Sequence, residues 1–268
     1  REDVSLEQVS GLFKSTYNLC CNVVFLDFKG IQVLASYPFY LEYIDASAPQ
    51  PSEEKILEQL EQLFFADDFS IISILRQRVS GLRLPVAGKL NIRIMSIEIA
   101  DSACVMIGRY EKQSASFGSL VAQRFADFLS SNLNVSVLPY AKDFMSGKMA
   151  LSFSDATVQN FSIPAPSYGI DLGIRKYVPQ PYRQKSAEKS FLYGVYLSLK
   201  VFDPDLGRVY WDKQLKHGEV KVVPLTQEQV DDFAVINELT GIALNKATQE
   251  MQNDKRLYQE VIVRCLNR

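Results

Sequence analysis

The chain has 268 residues, of which 47% are apolar and 22% charged, and these values are typical of a folded globular protein. Its net charge of −2 provides no basic surface for duplex nucleic acid, so we do not expect a nucleic-acid partner. No apolar run approaches the roughly 20 residues that cross a bilayer, and we expect no transmembrane segment. Because the sequence begins with Arg1 rather than methionine, the question of whether a signal peptide or lipid-anchored leader was removed stays open.

The first 85 residues predict a β-hairpin followed by two helices. Asp27–Gly30 has the chemistry of a hairpin turn, with the glycine expected in the left-handed region. Ser52 is a candidate N-cap for an amphipathic helix, and Gly81 is a candidate end for a second, shorter helix. The remaining predicted elements here are strands over Val23–Phe28 and Ile31–Ile44 and a helix over Phe69–Val79.

The next segment predicts a strand–helix–strand unit. The apolar residues of Lys89–Ile99 change phase after Ile94, which indicates an inserted bulge residue. A return strand is expected over Ala103–Ile107, followed by a helix over Ser119–Leu133 and a strand over Val135–Tyr140. Strand, helix and strand in this order are typical of a crossover connection, which implies at least one parallel pairing.

Periodicity weakens from Ala141 to Lys189, where prolines, glycines and aromatic residues accumulate, although Tyr168–Tyr177 could still form a strand. Long segments without regular structure are usually functional or mobile, so we expect a contact surface here. Its basic side chains could meet an acidic protein, an anionic glycan, a phosphate or only solvent. The candidate binding residues are Tyr168, Tyr177, Tyr182, Arg183 and Lys185.

The clearest pattern lies in Phe191–Val223 and predicts a β-hairpin with a turn over Asp203–Gly207. We expect Trp211, on the return strand, to pack against a long helix. A capping box at Thr226 and Gln229 is expected to begin that helix. Val261–Cys265 predicts a last strand.

Few residues suit catalysis. No phosphate-loop, dinucleotide or nucleophile-elbow motif is present, and His217 is the only histidine. We expect His217 to be structural, with a general-base role as the alternative. No metal site and no cofactor are predicted. The cysteines are expected to be buried thiols, or alternatively to form one disulfide between Cys104 and either Cys20 or Cys21, which point to opposite faces of a strand.

Carboxylate pairs leave an enzymatic alternative open. Paired acids can divide acid and base roles, but at turns and helix starts aspartate more often bonds the local backbone. A hydrolase or transferase working with carboxylates alone would depend on Asp171 or on the pair Asp203 and Asp205. The other pairs are Asp67 with Asp68 and Asp231 with Asp232.

From about Leu90 onward the chain resembles a family of bacterial envelope proteins. The resemblance is carried by the helix Gly118–Phe125 with Phe128 and Leu129, the strand Val135–Leu138 and the hairpin Leu199–Trp211. These residues resemble the α/β fold of the curli-secretion lipoprotein, the peptidoglycan-synthase activator lipoproteins, the amino-terminal domain of the Tol-system translocation protein and a flagellar assembly protein. Roughly half the chain is covered, and residues 1–85 are not.

The resemblance implies a non-catalytic binding or assembly module. Its partner would be another envelope protein, with a homo-oligomer also open, and its location periplasmic or envelope-attached, with the cytoplasm not excluded. The fold class expected is α/β, with α+β as the alternative, built on a mixed sheet with hairpins and flanking amphipathic helices. Residues 1–85 would form an amino-terminal unit, which could pack on the same sheet, and residues 86–268 the lipoprotein-like domain.

Overall fold

The computed structural model describes residues 2–9, 11–66, 70–81, 90–108, 114–140, 148–185, 187–225 and 232–266. Its strands are β1 Glu2–Val9, β2 Leu12–Asp27, β3 Gln32–Ser47, β4 Ile92–Ile99, β5 Val137–Leu138, β6 Lys148–Ser152, β7 Val158–Ser162, β8 Tyr168–Gln184, β9 Glu188–Phe202 and β10 Val209–Pro224. Its α-helices are α1 Glu53–Phe65, α2 Ile71–Gly81, α3 Asp101–Gly108, α4 Ser114–Leu133, α5 Asp232–Asn253, α6 Lys255–Leu257 and α7 Val263–Cys265, with a π-helical turn over Tyr258–Ile262.

The strands form two mixed sheets. Sheet A has the order β1-β2-β3-β7-β6, and sheet B has the order β10-β9-β8-β4-β5. Parallel pairs join β3 to β7 and β4 to both β5 and β8, whereas the hairpins are antiparallel. The predicted α/β class with a mixed sheet is therefore confirmed. Sheet A combines strands from residues 2–47 with strands from residues 148–162, and the domain boundary near residue 85 stays a prediction.

The two faces of sheet A contact different helices, because successive side chains of a strand point to opposite sides. Cys20 and Tyr40 belong to the main core with α4 and α5. Leu19, Phe39 and the neighbouring Cys21 pack instead with α1 and α2. The layers are therefore sheet B, helices α4 and α5, sheet A, and helices α1 and α2.

The hairpin of β9 and β10 forms as its pattern predicts. Alternate residues of β9 are fully buried, and Gly207 in the turn has a φ of 65°, in the left-handed region that glycine adopts readily. The Asp203 carboxylate accepts hydrogen bonds from the backbone N–H groups of Asp205 and Leu206, both at 2.9 Å. This aspartate stabilises the turn, as expected for its position.

The crossover unit is confirmed, and so is its bulge. The register between β4 and β8 shifts between Ile94 and Ser96, so Met95 is the extra residue that changes the apolar phase. Strand β4 pairs in parallel with β5, as the order strand, helix, strand predicts.

Two predicted strands are helices. Ala103–Ile107 lies in α3, and Val261–Cys265 lies in the π-helical turn and α7. Both errors have the same cause, because a short apolar run does not distinguish a strand from a buried helix. In the structure the buried positions follow helical spacing, at Ala103, Met106 and Ile107 and at Leu257, Val261 and Cys265.

The Ala141–Lys189 segment is also more regular than predicted. It contains β6, β7 and β8, and β8 alone extends over Tyr168–Gln184.

In the first hairpin turn the positive φ of 51° belongs to Ile31 and not to Gly30. Gly30 is needed for space, since a Cβ atom there would lie 2.5 Å from an oxygen of the Asp27 carboxylate. The Thr226 and Gln229 capping box, Asp67, Asp68 and Asp231 lie outside the described residues.

All four cysteines are free thiols, so the disulfide alternative is wrong in this structure. Burial raises the pKa of the Cys20 and Cys265 thiols to about 12.

Because the thiolate is the nucleophile, we predict that iodoacetamide at pH 8 modifies neither the Cys20 nor the Cys265 thiol in the folded protein. Mass spectrometry of the digested protein should find label first on the half-buried Cys21 and Cys104. Labelling of Cys20 at the same rate as Cys104 would contradict the burial.

We predict that Trp211→Ala lowers the free energy of unfolding by about 3–5 kcal/mol, as measured by urea denaturation. Trp211 is 4% exposed within the main core, so its removal leaves a cavity. Its buried indole Nε1 has no hydrogen-bond partner in the described part of the chain. Trp211→Phe should therefore cost much less, because it also removes an unpaired donor. Val209→Ala, at an exposed position two residues earlier, is the matched control.

Candidate functional site

Two of the five residues predicted to bind a partner are in the core. Tyr168 and Tyr177 are 3% and 5% exposed. The Tyr168 hydroxyl donates to the Glu260 carbonyl at 3.0 Å, and the Tyr177 hydroxyl lies 3.2 Å from the Thr240 hydroxyl. Burial raises the pKa of both tyrosines, so each stays protonated. These side chains position the C-terminal helices on sheet B and do not form an exposed contact surface.

The other three predicted residues lie on an exposed end of β8. Tyr182 is 65% exposed, and Arg183 and Lys185 are exposed beside it. Lys185 forms an ion pair with Glu188 at 2.5 Å across the tight connection to β9. Arg183 has no ion-pair partner within the described residues. The structure therefore places an aromatic ring beside an uncompensated guanidinium.

This end of β8 belongs to a ribbon that extends past the rest of sheet B. The last β8 residue paired with β4 is Ile174, and beyond it β8 pairs only with β9 among the described strands. Pro179 and Pro181 are tolerated here because a proline, which has no N–H group, fits a strand with a free edge. We call residues 178–185, 188–192 and 218–224 the projecting ribbon.

The solvent-facing side of the projecting ribbon carries apolar residues from neighbouring strands. Leu192 pairs with Gln180 on one side and with Val220 on the other, so these three side chains form one row. Val222 follows two residues later on the same face. All three of these aliphatic side chains are exposed. The row lies next to Arg183, which pairs with Ser190 in the adjacent register position.

The acids and the histidine considered for catalysis make local contacts. Ser96 donates a hydrogen bond to Asp171 at 2.6 Å, and Asp203 caps its own turn. His217 lies between Glu219 and Lys246. Its Nε2 is 3.2 Å from the Glu219 carboxylate, and its Nδ1 is 3.2 Å from the Lys246 ammonium. Within the described residues, no group of three His, Cys, Asp or Glu side chains is arranged to hold a metal ion. None of these contacts favours a particular reaction.

A second candidate site, which we call the inter-sheet cleft, lies between sheet A and the first turns of α5 and encloses about 90 Å³. Sheet A contributes the polar residues Ser5, Glu7, Lys14, Thr16, Asn18 and Glu42. Strand β10 and helix α5 contribute Lys221, Asn237 and Glu238. The cleft lies on the face of sheet A that contacts α4, at the end of β2 where apolar residues give way to polar ones.

A buried ion-pair group closes one end of the inter-sheet cleft. The Glu7 side chain is only 3% exposed, and its carboxylate lies 3.2 Å from the Lys14 ammonium and 3.6 Å from that of Lys221. A buried carboxylate is stable only when it is paired, so both contacts matter to the fold. Lys221 belongs to sheet B, and the group therefore connects the two sheets.

The opposite end of the cleft is backed by Arg124 of α4. Its guanidinium carbon lies 4.5 Å from the centre of the Tyr40 ring, and its Nη1 donates to the Asn237 carbonyl at 3.0 Å. The Tyr40 hydroxyl contacts both Asn18 and Glu42. Burial raises the pKa of Tyr40, although the nearby Arg124 charge opposes this effect. Arg124 thus joins sheet A to helix α5.

The sequence reasoning did not identify the residues of this cleft. Glu7, Asn18, Arg124 and Asn237 are far apart in the chain and belong to no motif. One signal in the sequence is that Arg124 interrupts the apolar stripe of a predicted helix. The burial of this arginine between Tyr40 and Asn237 becomes visible only in the folded structure.

None of the family models or curated proteins matches the chain. Among solved structures, it is similar to a minor lipoprotein from Acinetobacter baumannii, with 9% identity, a TM-score of 0.29 and coverage of 63% of this chain and 94% of that one. It is similar to a neuraminyllactose-binding hemagglutinin homolog from Helicobacter pylori, with 14% identity, a TM-score of 0.38 and coverage of 68% and 95%. It is also similar to the PelC dodecamer from Paraburkholderia phytofirmans, with 11% identity, a TM-score of 0.27 and coverage of 61% and 92%.

These neighbours are bacterial proteins, and one of them is a lipoprotein. At such identities and TM-scores the alignments do not establish a shared function, partner or assembly. None of the three is a protein named from the sequence resemblance, so that finer assignment stays a prediction. Among the helices that the structure describes, none is long and apolar enough to span a membrane.

We predict that Gly241→Ala destabilises the protein by about 1 kcal/mol in urea denaturation. A Cβ atom at position 241 would lie 2.2 Å from the Arg124 guanidinium carbon and displace it. The lost charged hydrogen bond and cation–π contact outweigh the gain of about 1 kcal/mol expected for alanine in a helix.

The sign of this effect should reverse when Arg124 is removed. In an Arg124→Ala background, Gly241→Ala should be stabilising, because the only remaining contribution is helix propensity. Gly118→Ala in α4 is the matched control: its Cβ would contact Ile97 and Ile99 at an ordinary 3.5 Å, and it should stabilise in either background. An unchanged sign for Gly241→Ala would show that Arg124 does not tie the layers together.

Proposed function

We propose that this protein is a non-catalytic binding or assembly module of a bacterial cell envelope and that it acts through protein–protein contacts at the projecting ribbon. The observation that carries the proposal is the exposed combination of Tyr182, Arg183 and the aliphatic row on neighbouring strands, with no ion pair to Arg183 from the part of the chain that the structure describes. Aromatic and arginine side chains are enriched at protein interfaces because they combine a large contact area with directional bonds.

The geometry of the ribbon supports recognition of an acidic protein surface. Arg183 forms no ion pair within the described residues, and its guanidinium can bind a carboxylate in a bidentate manner, whereas Lys185 is already paired with Glu188. The proposed partner is therefore an envelope protein with acidic and apolar residues side by side, and a homo-oligomer stays open.

The envelope location rests on the sequence resemblance of the α4 helix and the β9–β10 hairpin, and we infer a periplasmic or envelope-attached protein from it. Fold analogy alone does not assign a function. The enzymatic alternative gains no support from Asp171 or Asp203, whose carboxylates accept hydrogen bonds from Ser96 and from the turn backbone.

The proposal predicts that a photo-crosslinking phenylalanine analogue at position 182 captures a specific protein in cells. Tyr182 is exposed and lies at the centre of the proposed contact, so the product should be discrete on a denaturing gel. Val158 of β7 in sheet A, which is 62% exposed, is the control position and should give no such product.

Charge reversal then tests the role of Arg183. Arg183→Glu should reduce the crosslinked product at position 182 strongly, while the melting temperature stays within about 2 °C because the side chain is exposed. Lys148→Glu, an exposed lysine of β6, should leave the product unchanged. Equal products from positions 182 and 158, or an undiminished product with Arg183→Glu, would contradict the proposed surface.

A further inference from the structure

The inter-sheet cleft is lined by two buried amides whose hydrogen-bonding groups are not all paired within the described residues. Asn18 and Asn237 are 2% and 6% exposed, and both line the cavity. Asn18 is bonded to Tyr40 through Oδ1 only, and the Asn237 side chain has no hydrogen-bond partner among the described residues. Among the described residues, the fully enclosed side-chain nitrogen and oxygen atoms without partners belong to Arg124, Ser136 and Trp211 and not to these two amides. The two amides therefore face the cavity. A molecule bound there would satisfy the amide donors and acceptors that have no partner in the described residues.

The charges around the cleft specify the sign of that occupant. Glu7 is paired with both Lys14 and Lys221, so its carboxylate is not available to an occupant. Glu42 accepts a hydrogen bond from Tyr40, and neither Glu42 nor Glu238 forms an ion pair within the described part of the chain. These two carboxylates are exposed at the mouth, where a cationic group could pair with both of them. An occupant with a positive group is favoured.

The volume of the cleft and the polar groups that line it exclude other classes of occupant. A volume of about 90 Å³ corresponds to roughly three water molecules, so the occupant is small. A bare metal ion would need several converging carboxylate or histidine ligands, and no such group is present in the described residues. An organic ammonium needs only carboxylate acceptors, and a neighbouring hydroxyl can bond the amides as both donor and acceptor.

We propose that the inter-sheet cleft binds a small amino alcohol, with its ammonium group between Glu42 and Glu238 and its hydroxyl on Asn18 and Asn237. This site shares only Lys221 with the projecting ribbon and does not depend on the function proposed for the ribbon. The same ammonium group also occurs in the head group of phosphatidylethanolamine, where the hydroxyl oxygen is esterified to phosphate and can only accept from the amides, and the experiment distinguishes these two sources.

The test is a titration of the full chain with ethanolamine, followed by calorimetry or by amide chemical shifts. We expect saturable binding at millimolar concentrations, with shifts concentrated on β2 and the first turns of α5. N-acetylethanolamine, which has the same hydroxyl but no charge, should bind at least about tenfold more weakly, because a hydrogen bond to a charged group is lost. Magnesium chloride at the same concentration should not compete.

Variants identify the cleft as the site. The double substitution Glu42→Gln and Glu238→Gln should weaken binding about tenfold or more, and it should fold because both side chains are exposed and glutamine still accepts from Tyr40. Glu250→Gln, an exposed glutamate further along the same helix, is the matched control and should bind normally. Asn237→Ala should weaken binding with the carboxylates intact.

Vesicles separate the two sources of the ligand. Cosedimentation with phosphatidylethanolamine vesicles but not with phosphatidylcholine vesicles, lost in the glutamine double variant, would assign the head group. Binding of free ethanolamine without a vesicle preference would assign a small molecule. The absence of saturable binding in both experiments, or binding that the glutamine double variant leaves unchanged, would overturn the proposal and show a cleft filled with water only.

Discussion

Helix α4 determines how the two sheets come together, because it is buried on two sides. Its residues Phe125 and Leu129 are fully buried in the main core, and Ala122 and Ala126 are small enough to let neighbouring backbones approach. Sheet B lies on one side of α4, and strands β2 and β3 of sheet A lie on the other. A helix that is apolar around most of its circumference must be covered from both sides. The second sheet supplies the cover that α4 would otherwise lack.

The point at which β2 loses contact with α4 also explains where the polar residues of the cleft lie. Along one face of β2, Cys20 packs in the core with α4, whereas Asn18, Thr16 and Lys14 lie further from the hairpin turn and line the cleft with α5. Polar residues can occupy this junction because Glu7 is paired with two ammonium groups and Arg124 is stacked on Tyr40. A buried charge without such partners would cost several kcal/mol. The junction therefore consists of paired charges, which hold the layers in register, and of the Asn18 and Asn237 amides, which are only partly paired within the described residues.

The sequence predicted those parts of the fold whose signal is local. The β9–β10 hairpin, the bulge at Met95 and the opposite orientations of Cys20 and Cys21 all follow from side-chain alternation within one segment. Short apolar runs were ambiguous, which explains the errors at α3 and α7. The Glu7 and Arg124 contacts could not be predicted, because each depends on residues more than 100 positions away, Lys221 and Asn237. The sequence did not show which candidate binding residues are exposed, because the pattern of tyrosines in a strand does not indicate which rings point inward.

The projecting ribbon raises the question of why exposed aliphatic residues do not cause strand-to-strand aggregation. Its outer strand, β10, carries Glu219 and Lys221, and its other free edge, on β8, carries Pro179 and Pro181. Charged side chains and prolines on edge strands oppose pairing with an unselected strand. A partner that meets Arg183 with a carboxylate and covers Leu192 and Val220 avoids both obstacles, because it contacts the face of the ribbon and leaves the edges free. The same residues that prevent indiscriminate pairing therefore favour recognition through side chains on one face.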